Sequence, residues 1–314
     1  MSASTPFAPQ DRADADDVGA AAPAPRAPAD EAADAREVVF GADGSDCALG
    51  AVRWAAHEAA LRGAPLRIVH AAPYLGRRAA EGVPSPELPR AKSITSQAFT
   101  AARHAEHALS VTTEVVPGEP IDTLLRAAAT SQLLVLGSNT TGAADEMVLA
   151  SGNLRVAARS AQPVVVVPRQ RGAAGSGLPV VAVLGIGDGV DDSAVAEFAA
   201  HAAGRFGTGL SVLQTAAGRR AAASWADDPD QWGEHFPDLE VTRTALPGAS
   251  AGDVLSAACP APLLVMSTGH GTLMHRSLDG PHRWLLRHCT SPIALVPQVE
   301  RPDRQGREES LALG

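Results

Sequence analysis

The strongest constraint in this sequence is that one order of segments occurs twice along the chain. Phe198 lies 144 positions after Trp54, whereas Gly248 lies 130 positions after Gly118, so the second copy is 14 residues shorter. Self-similarity at a long, nearly fixed spacing indicates a repeated structural unit. The matched segments are EVVFGADGS 37–45 with VVAVLGIGD 180–188, residues 51–71 with 194–215, residues 115–129 with 245–259, LLVLGS 133–138 with LLVMST 263–268, and QPVVVVP 162–168 with SPIALVP 291–297. Five matches in the same order predict a tandem duplication.

Within each copy, short apolar strands alternate with amphipathic helices. The strands, such as LLVLGS at 133–138, are continuous runs of Val and Leu rather than alternating patterns. Such runs are typical of parallel strands that helices cover on both faces. The order predicts that each copy is a doubly wound α/β domain with a parallel five-stranded sheet. In sheets of this kind, ligands bind beyond the carboxyl ends of the strands, where the strand order reverses.

Three stretches of biased composition divide the chain. Residues 1–36 contain Ala, Pro and acidic residues with few large apolar side chains, which predicts a disordered tail. The stretch RQRGAAGSG predicts a flexible linker over 169–178, and residues 298–314 resemble the first tail in composition. The predicted domains are therefore 37–168 and 179–297.

Composition argues against several classes of protein. The net charge of −9 argues against a nucleic-acid partner, which usually requires a basic patch. Lys92 is the only lysine and no G-K-[ST] motif occurs, which excludes a lysine-dependent phosphate loop. Cys47, Cys259 and Cys289 lie far apart in the sequence, which predicts a reducing compartment and no disulfide framework. No run approaches the roughly 20 apolar residues of a membrane span. With no signal peptide pattern at the N-terminus, we expect a cytoplasmic protein without a membrane partner.

Three segments of the first copy carry a more specific signal: VVFGADGSDCALGAVRWAAHEAALRGAPLRIVHA, VPGEPIDTLLRAA, and LLVLGSNTTG followed by LASGNLRVAARSAQPVVVVP. Together they resemble the universal stress protein family, strongly over 37–168 and more weakly over 179–297. The resemblance implies an adenine nucleotide α-hydrolase-like sheet in each copy. It also implies the strand order 3-2-1-4-5, with the reversal between the first and fourth strands.

The resemblance also implies a place for adenosine. In nucleotide-binding members of the family, an aspartate after the first strand contacts the adenosine part of the ligand. Asp43, preceded by Ala42 in the segment GADGS, matches that aspartate. A second interpretation of Asp43 stays open, because an aspartate before Gly44 and Ser45 is also typical of a turn that caps the next helix.

The phosphate loop of those family members has the pattern G-x2-G-x9-G-[ST] after the fourth strand. Here the spacing is intact, but Thr140 and Ala150 replace two of the glycines. A β-branched residue such as threonine is strained at the positive φ that glycine permits, so we expect weakened phosphate binding. We also expect the helix to begin near Ser151, whose N–H and hydroxyl would face an anion. The matched loop positions are Gly137, Thr140, Ala150, Ser151 and Gly152.

The second copy departs further from the family pattern. Gly187 occupies the aspartate position, and Ser267 and His270 replace the first two loop glycines. We therefore expect no nucleotide site of the family's kind in this copy. The His and Arg residues at 270–288 admit three interpretations, which are a solvated basic face, an anion site and a metal site, and we expect no metal ligands among them.

Two apolar strands bracketed by prolines, at 163–168 and 292–297, end the two copies. An exposed apolar edge tends to pair, so we expect these strands to join the copies as a pseudo-dimer and to offer an edge for a homo-oligomer. No catalytic arrangement emerges from the loops, which predicts a protein that is not an enzyme. Two functions remain open: a non-catalytic sensor that binds ATP or another adenine nucleotide, and a scaffold without a ligand.

Overall fold

The computed structural model describes residues 36–73, 75, 87–138, 146–169, 177–185, 192–215, 232, 234–246, 250–268 and 280–298. Side chains at 46–47, 146–151 and 280–281 are outside this description. The predicted tails and most of the predicted linker at 169–178 also lie outside the described residues, so the division at 37–168 and 179–297 stays a prediction.

Strands and helices alternate through the first half of the chain. The first half contains β1 (Val38–Gly41), α1 (Asp46–Leu61), β2 (Leu66–Ala72), α2 (Glu87–Ala105), β3 (Val111–Pro117), α3 (Pro120–Ala129), β4 (Leu133–Ser138), α4 (Glu146–Arg159) and β5 (Val164–Pro168). The second half contains β6 (Val180–Leu184), α5 (Ser193–Phe206), β7 (Leu210–Thr215), β8 (Val241–Leu246), α6 (Ala251–Ala258), β9 (Leu264–Ser267), α7 (Gly280–His288) and β10 (Ile293–Val296).

All ten described strands form one continuous sheet, in the order β3-β2-β1-β4-β5-β10-β9-β6-β7-β8. Within each half, every strand pair is parallel, and the order 3-2-1-4-5 is confirmed in both halves. The halves meet where β5 and β10 pair antiparallel, with Val165 opposite Ala294. The two predicted five-stranded sheets are therefore the first half-sheet (β1–β5) and the second half-sheet (β6–β10) of a single sheet.

The predicted pairing of 163–168 with 292–297 within the chain is confirmed, but the prediction that these strands also offer an edge to a homo-oligomer is wrong. Strand β5 lies between β4 and β10, and β10 lies between β5 and β9. Their backbone N–H and C=O groups are used inside the chain, so these strands offer no edge to a homo-oligomer. The outermost strands of the described sheet are β3 and β8.

The core lies on both faces of the sheet, as continuous apolar strands require. Helices α1, α2 and α5 contribute to one apolar layer, and α3, α4, α6 and α7 contribute to the other. Alanine dominates the inward face of α1, which allows the helix to approach the strands closely, and Trp54 belongs to the same core at 5% exposure. Trp232 is only 2% exposed and packs in this core as well.

A buried charge cluster joins α1 to α5 across the two halves. The Glu58 carboxylate accepts hydrogen bonds from Arg62 at 2.7 Å and from Arg205 at 3.0 Å, through the same oxygen Oε1. Glu58 is 1% exposed. Burial lowers the pKa of Arg62, and the Glu58 charge opposes that shift. The Arg62 guanidinium also lies over the Phe198 ring, 5.5 Å from its centroid. These contacts bind the two halves together on the face opposite α3 and α4.

Candidate functional site

A cleft opens at the carboxyl ends of β1, β2 and β4, beside the first residue of α3. Its volume is about 180 Å³. The reversal of strand order falls between β1 and β4, where a doubly wound sheet leaves room for a ligand. Leu124 and Leu136 give the cleft an apolar wall, and its polar lining comes from Asp43, His70 and Asn153. The cleft is smaller than a typical small-molecule site of about 300–1,000 Å³, so the described residues surround only part of a nucleotide-sized ligand.

Asp43 follows β1 in a tight turn. Its Oδ1 accepts a hydrogen bond from the Ser45 N–H at 2.9 Å and another from the Ser45 hydroxyl at 2.6 Å. Gly44, between them, has φ of +81°, and an added Cβ there would lie 2.6 Å from Ile94 Cδ1. A residue with a side chain is strained at such a φ, so the turn requires glycine. The turn holds the carboxylate through one oxygen, which leaves Oδ2 for a second contact.

His70 and Ala42 fix the floor of the cleft. Nδ1 of His70 lies 2.6 Å from the Ala42 carbonyl oxygen. A carbonyl oxygen only accepts, so Nδ1 carries the hydrogen, and Nε2 of the neutral ring remains an acceptor. The bond ties the end of β2 to the residue that follows β1. A ligand in the cleft would therefore meet a fixed ring whose free nitrogen accepts hydrogen bonds.

Asn153 is a lining residue that the sequence analysis missed. Its Nδ2 donates to the Gly137 carbonyl oxygen at 2.8 Å, which connects α4 to the end of β4. Asn153 precedes the buried run Val156–Ala158 by one helical turn. The sequence signal for Asn153 was its place three positions before the apolar Val156, because residues three apart lie on the same face of a helix.

The predicted start of the helix near Ser151 is wrong. Helix α4 begins at Glu146, which makes Ser151 its sixth residue. Only the first four N–H groups of an α-helix lack a partner within the helix, so the Ser151 N–H is not among the groups free for an anion. The segment Glu146–Ala150 consists of residues compatible with a helix, so nothing forces the chain to wait for a serine cap.

Of the other predicted loop residues, some belong to the described part of the chain and some lie outside it. Gly137 is part of the cleft lining. An added Cβ there would lie 3.4 Å from Ala51 Cβ, which is an ordinary contact distance. Gly152 lies in α4, with nothing within 4 Å of an added Cβ. Thr140 and the side chains of Ala150 and Ser151 lie outside the described residues. The structure therefore brings together Ala42, Asp43 and Gly137, and their role with the remaining loop positions stays a prediction.

At the corresponding place in the second half, side chains bond to backbone groups. The Asp192 carboxylate accepts from the Gly185 N–H, and the Thr215 hydroxyl donates to the Gly185 carbonyl. His282 is 2% exposed, and its Nε2 donates to the Ser267 carbonyl oxygen at 2.9 Å, as Asn153 does to Gly137. His282 thus does not belong to a solvated basic face, whereas the side chains of Arg283 and Arg287 are exposed. Positions 270–279 of that predicted cluster, and Gly187, lie outside the described residues.

No group of three or more His, Cys, Asp or Glu side chains in the described residues is arranged to hold a metal ion. None of the helices that the structure describes combines the length and apolarity needed to cross a bilayer.

The fold and the cleft fit the universal stress class of protein that the sequence resembles, and comparisons with known proteins support this resemblance. Residues 35–168 match the model of the universal stress protein family. A universal stress protein of Mycolicibacterium smegmatis is 29% identical over 82% of this chain and 96% of its own length. Another, from Mycobacterium tuberculosis, is 36% identical over 32% of this chain and 37% of its own length. Residues 35–168 therefore match the universal stress protein family, and the chain is similar to universal stress proteins over most of its length.

A solved structure shows the same fold over both halves. The crystal structure of a universal stress protein from Archaeoglobus fulgidus matches with a TM-score of 0.61. The match covers 84% of this chain and 97% of that one at 14% identity, so it concerns the fold alone.

Proposed function

We propose that this universal stress protein binds ATP or another adenine nucleotide in the cleft of its first half and acts by occupancy rather than by catalysis. The observation that carries the proposal is the convergence of Asp43, His70 and Asn153 at the reversal point of the first half-sheet. Free thiols at Cys259 and Cys289 fit the reducing conditions of the cytoplasm, where we place the protein. The acidic net charge of −9 supports the absence of a nucleic-acid partner.

The described part of the cleft suits the nucleoside end of such a ligand. Leu124 and Leu136 offer an apolar surface to a base. Asp43 Oδ2 and His70 Nε2 are acceptors for the hydroxyl and amino hydrogens that ribose and adenine carry. Gly137, Thr140, Ala150, Ser151 and Gly152 are the positions we assign to the phosphates. Because two glycines are replaced there, the proposal includes weak binding, with the nucleoside end contributing most of the affinity.

Titration calorimetry with AMP and ATP tests the proposal. We expect saturable binding to the full chain, and we expect Asp43→Ala to weaken it about tenfold, as the loss of a charged hydrogen-bond acceptor would. Asp238→Ala is the matched control, since Asp238 is an exposed aspartate outside the cleft. Absence of saturation at millimolar nucleotide would contradict the proposal. Turnover of ATP that Asp43→Ala abolishes would contradict its non-catalytic part.

A scaffold without a ligand is the second candidate, and specific contacts favour it. Asp43 Oδ1 is already satisfied by Ser45, so the residue has a role as a turn without any ligand. The double variant Thr140→Gly, Ala150→Gly separates the candidates. A rise in nucleotide affinity would support a nucleotide loop weakened by its two replaced glycines, and unchanged absence of binding would support the scaffold.

A further inference from the structure

Two cysteines that the sequence separates meet in the second half of the structure. Cys259 follows the last residue of α6, and Cys289 follows the last residue of α7. Their sulfur atoms lie 2.8 Å apart, and both are free thiols. Their separation of 30 positions, without a C-x-x-C motif, concealed this pairing from the sequence analysis.

The two thiols differ in exposure. Cys289 is 3% exposed and packs in the apolar layer beneath α6 and α7. Cys259 is only partly buried. One residue of the pair is thus partly open to solvent, and the other is protected by the protein.

The surrounding groups stabilise a negative charge on Cys259. The Ser291 hydroxyl oxygen accepts from the Ala261 N–H at 2.9 Å, which leaves its own hydrogen free to donate. Hydrogen bonds from the Cys289 thiol and from Ser291 lower the pKa of Cys259 to about 7, against the effect of burial. The same pairing raises the pKa of Cys289, which therefore keeps its hydrogen. A thiolate is the reactive form of cysteine, so the pair contains one nucleophile and one neighbouring thiol.

We propose that Cys259 and Cys289 form a peroxide-reactive thiol pair that closes to a reversible disulfide. Peroxide is the oxidant. The Cys259 thiolate attacks one peroxide oxygen, the O–O bond breaks, and the leaving hydroxide takes up a proton to become water. The product is a sulfenic acid on Cys259. The Cys289 sulfur then displaces the sulfenic hydroxyl, which leaves as a second water with the Cys289 proton, and the S–S bond forms. In total two thiols lose two hydrogens and one peroxide becomes two waters.

The closed bond would connect the ends of α6 and α7. The chain between them, residues 260–288, contains β9 and the positions of the second copy's degenerate loop. Oxidation would thus close a covalent ring that includes residues 260–288, whereas in the reduced pair hydrogen bonds and packing hold the two helix ends together. Reduction by a small thiol would restore the open form.

Thiol counting and mass spectrometry on the purified full chain test the proposal. The reduced protein carries three titratable thiols. After treatment with hydrogen peroxide we expect one, a mass lower by two hydrogens, and a single linked peptide pair that contains Cys259 and Cys289. A dithiol reductant should return all three. Persistence of three thiols, or a link through Cys47, would overturn the proposal.

Single variants separate the two roles. Cys289→Ser should leave a sulfenic acid on Cys259 that a cyclic diketone traps, with no intramolecular link. Cys259→Ser should slow the oxidation of Cys289 about tenfold or more, because that thiol is buried and protonated. Cys47→Ser is the control and should form the link at the wild-type rate. Equal rates of Cys289 oxidation with and without Cys259 would contradict the assignment of Cys259 as the attacking thiol.

Discussion

At the scale of single residues, a few neighbouring hydrogen bonds determine how the side chains of the cleft and of the thiol pair are oriented and where they carry hydrogen. Asp43 is held through one oxygen by Ser45, and His70 is held in one tautomer by the Ala42 carbonyl. Cys259 is the clearest example. Among the described residues, the groups that act on it are the Cys289 thiol, which is titratable, the Ser291 hydroxyl, and the backbone at Thr290 and Ser291.

We predict that the rate of Cys259 oxidation follows its lowered pKa. A cysteine ordinarily titrates near 9.0, but this thiol titrates at about 7. The thiolate reacts and the thiol does not, so the rate should fall as the pH drops below about 7 and level off above it. Stopped-flow measurement of peroxide reduction from mildly acidic to alkaline pH checks the profile. A midpoint near 9 would show that the Cys289 and Ser291 contacts do not stabilise the thiolate.

At the scale of elements, the contact between α1 and α5 depends on one buried carboxylate between two guanidinium groups. Glu58 is 1% exposed, and its partners Arg62 and Arg205 are 10% and 20% exposed. Charges removed from water in this way are tolerated only when they are paired. The cluster is therefore more sensitive to loss of its central acid than a surface ion pair would be.

We predict that Glu58→Ala destabilises the protein by about 3 kcal/mol, since it leaves two neighbouring cations with no counter-charge. Urea unfolding of the full chain measures the change. Glu197→Ala is the control, because Glu197 is 64% exposed on α5 and lies 3.9 Å from His201. The control should change stability by less than about 0.5 kcal/mol. A similarly small effect for Glu58→Ala would show that the charge cluster contributes little to the contact between α1 and α5.

The sequence predicted elements well where local pattern determines them. Runs such as LLVLGS and the repeated segment order were sufficient for the alternating strands and helices of both halves, and the strand order was implied by the family resemblance. The start of α4 was missed because the matched serine was taken as a cap, whereas the residues from Glu146 onward already favour a helix. The cysteine pair was missed because it depends on how α6 and α7 end beside each other in space, and periodicity carries no information on that.

At the scale of the whole molecule, the duplication produces one sheet rather than two. Strands β5 and β10 are apolar, buried and paired on both sides. The pairing predicted for the two apolar edges places them at the centre of the sheet, where each satisfies the other within the chain.

We predict that the amides of Val164–Val167 and Ile293–Val296 are among the slowest to exchange hydrogen with solvent. Exchange there requires both half-sheets to separate or unfold, whereas the outermost strands β3 and β8 lose protection by local opening. Hydrogen exchange with mass spectrometry on the full chain measures the difference. Faster exchange in β10 than in β8 would mean that the two halves separate readily in solution.

The antiparallel contact between β5 and β10 also turns the second half-sheet end for end relative to the first. The carboxyl ends of β1, β2 and β4 therefore share one rim with the amino ends of β9 and β10, where Cys259 and Cys289 sit. Leu124 and Leu136 of the cleft wall and Cys289 also belong to the same apolar layer. A single partner lying along that rim would touch both the cleft that we propose for the nucleotide and the proposed thiol pair, so both proposals concern one rim of the sheet.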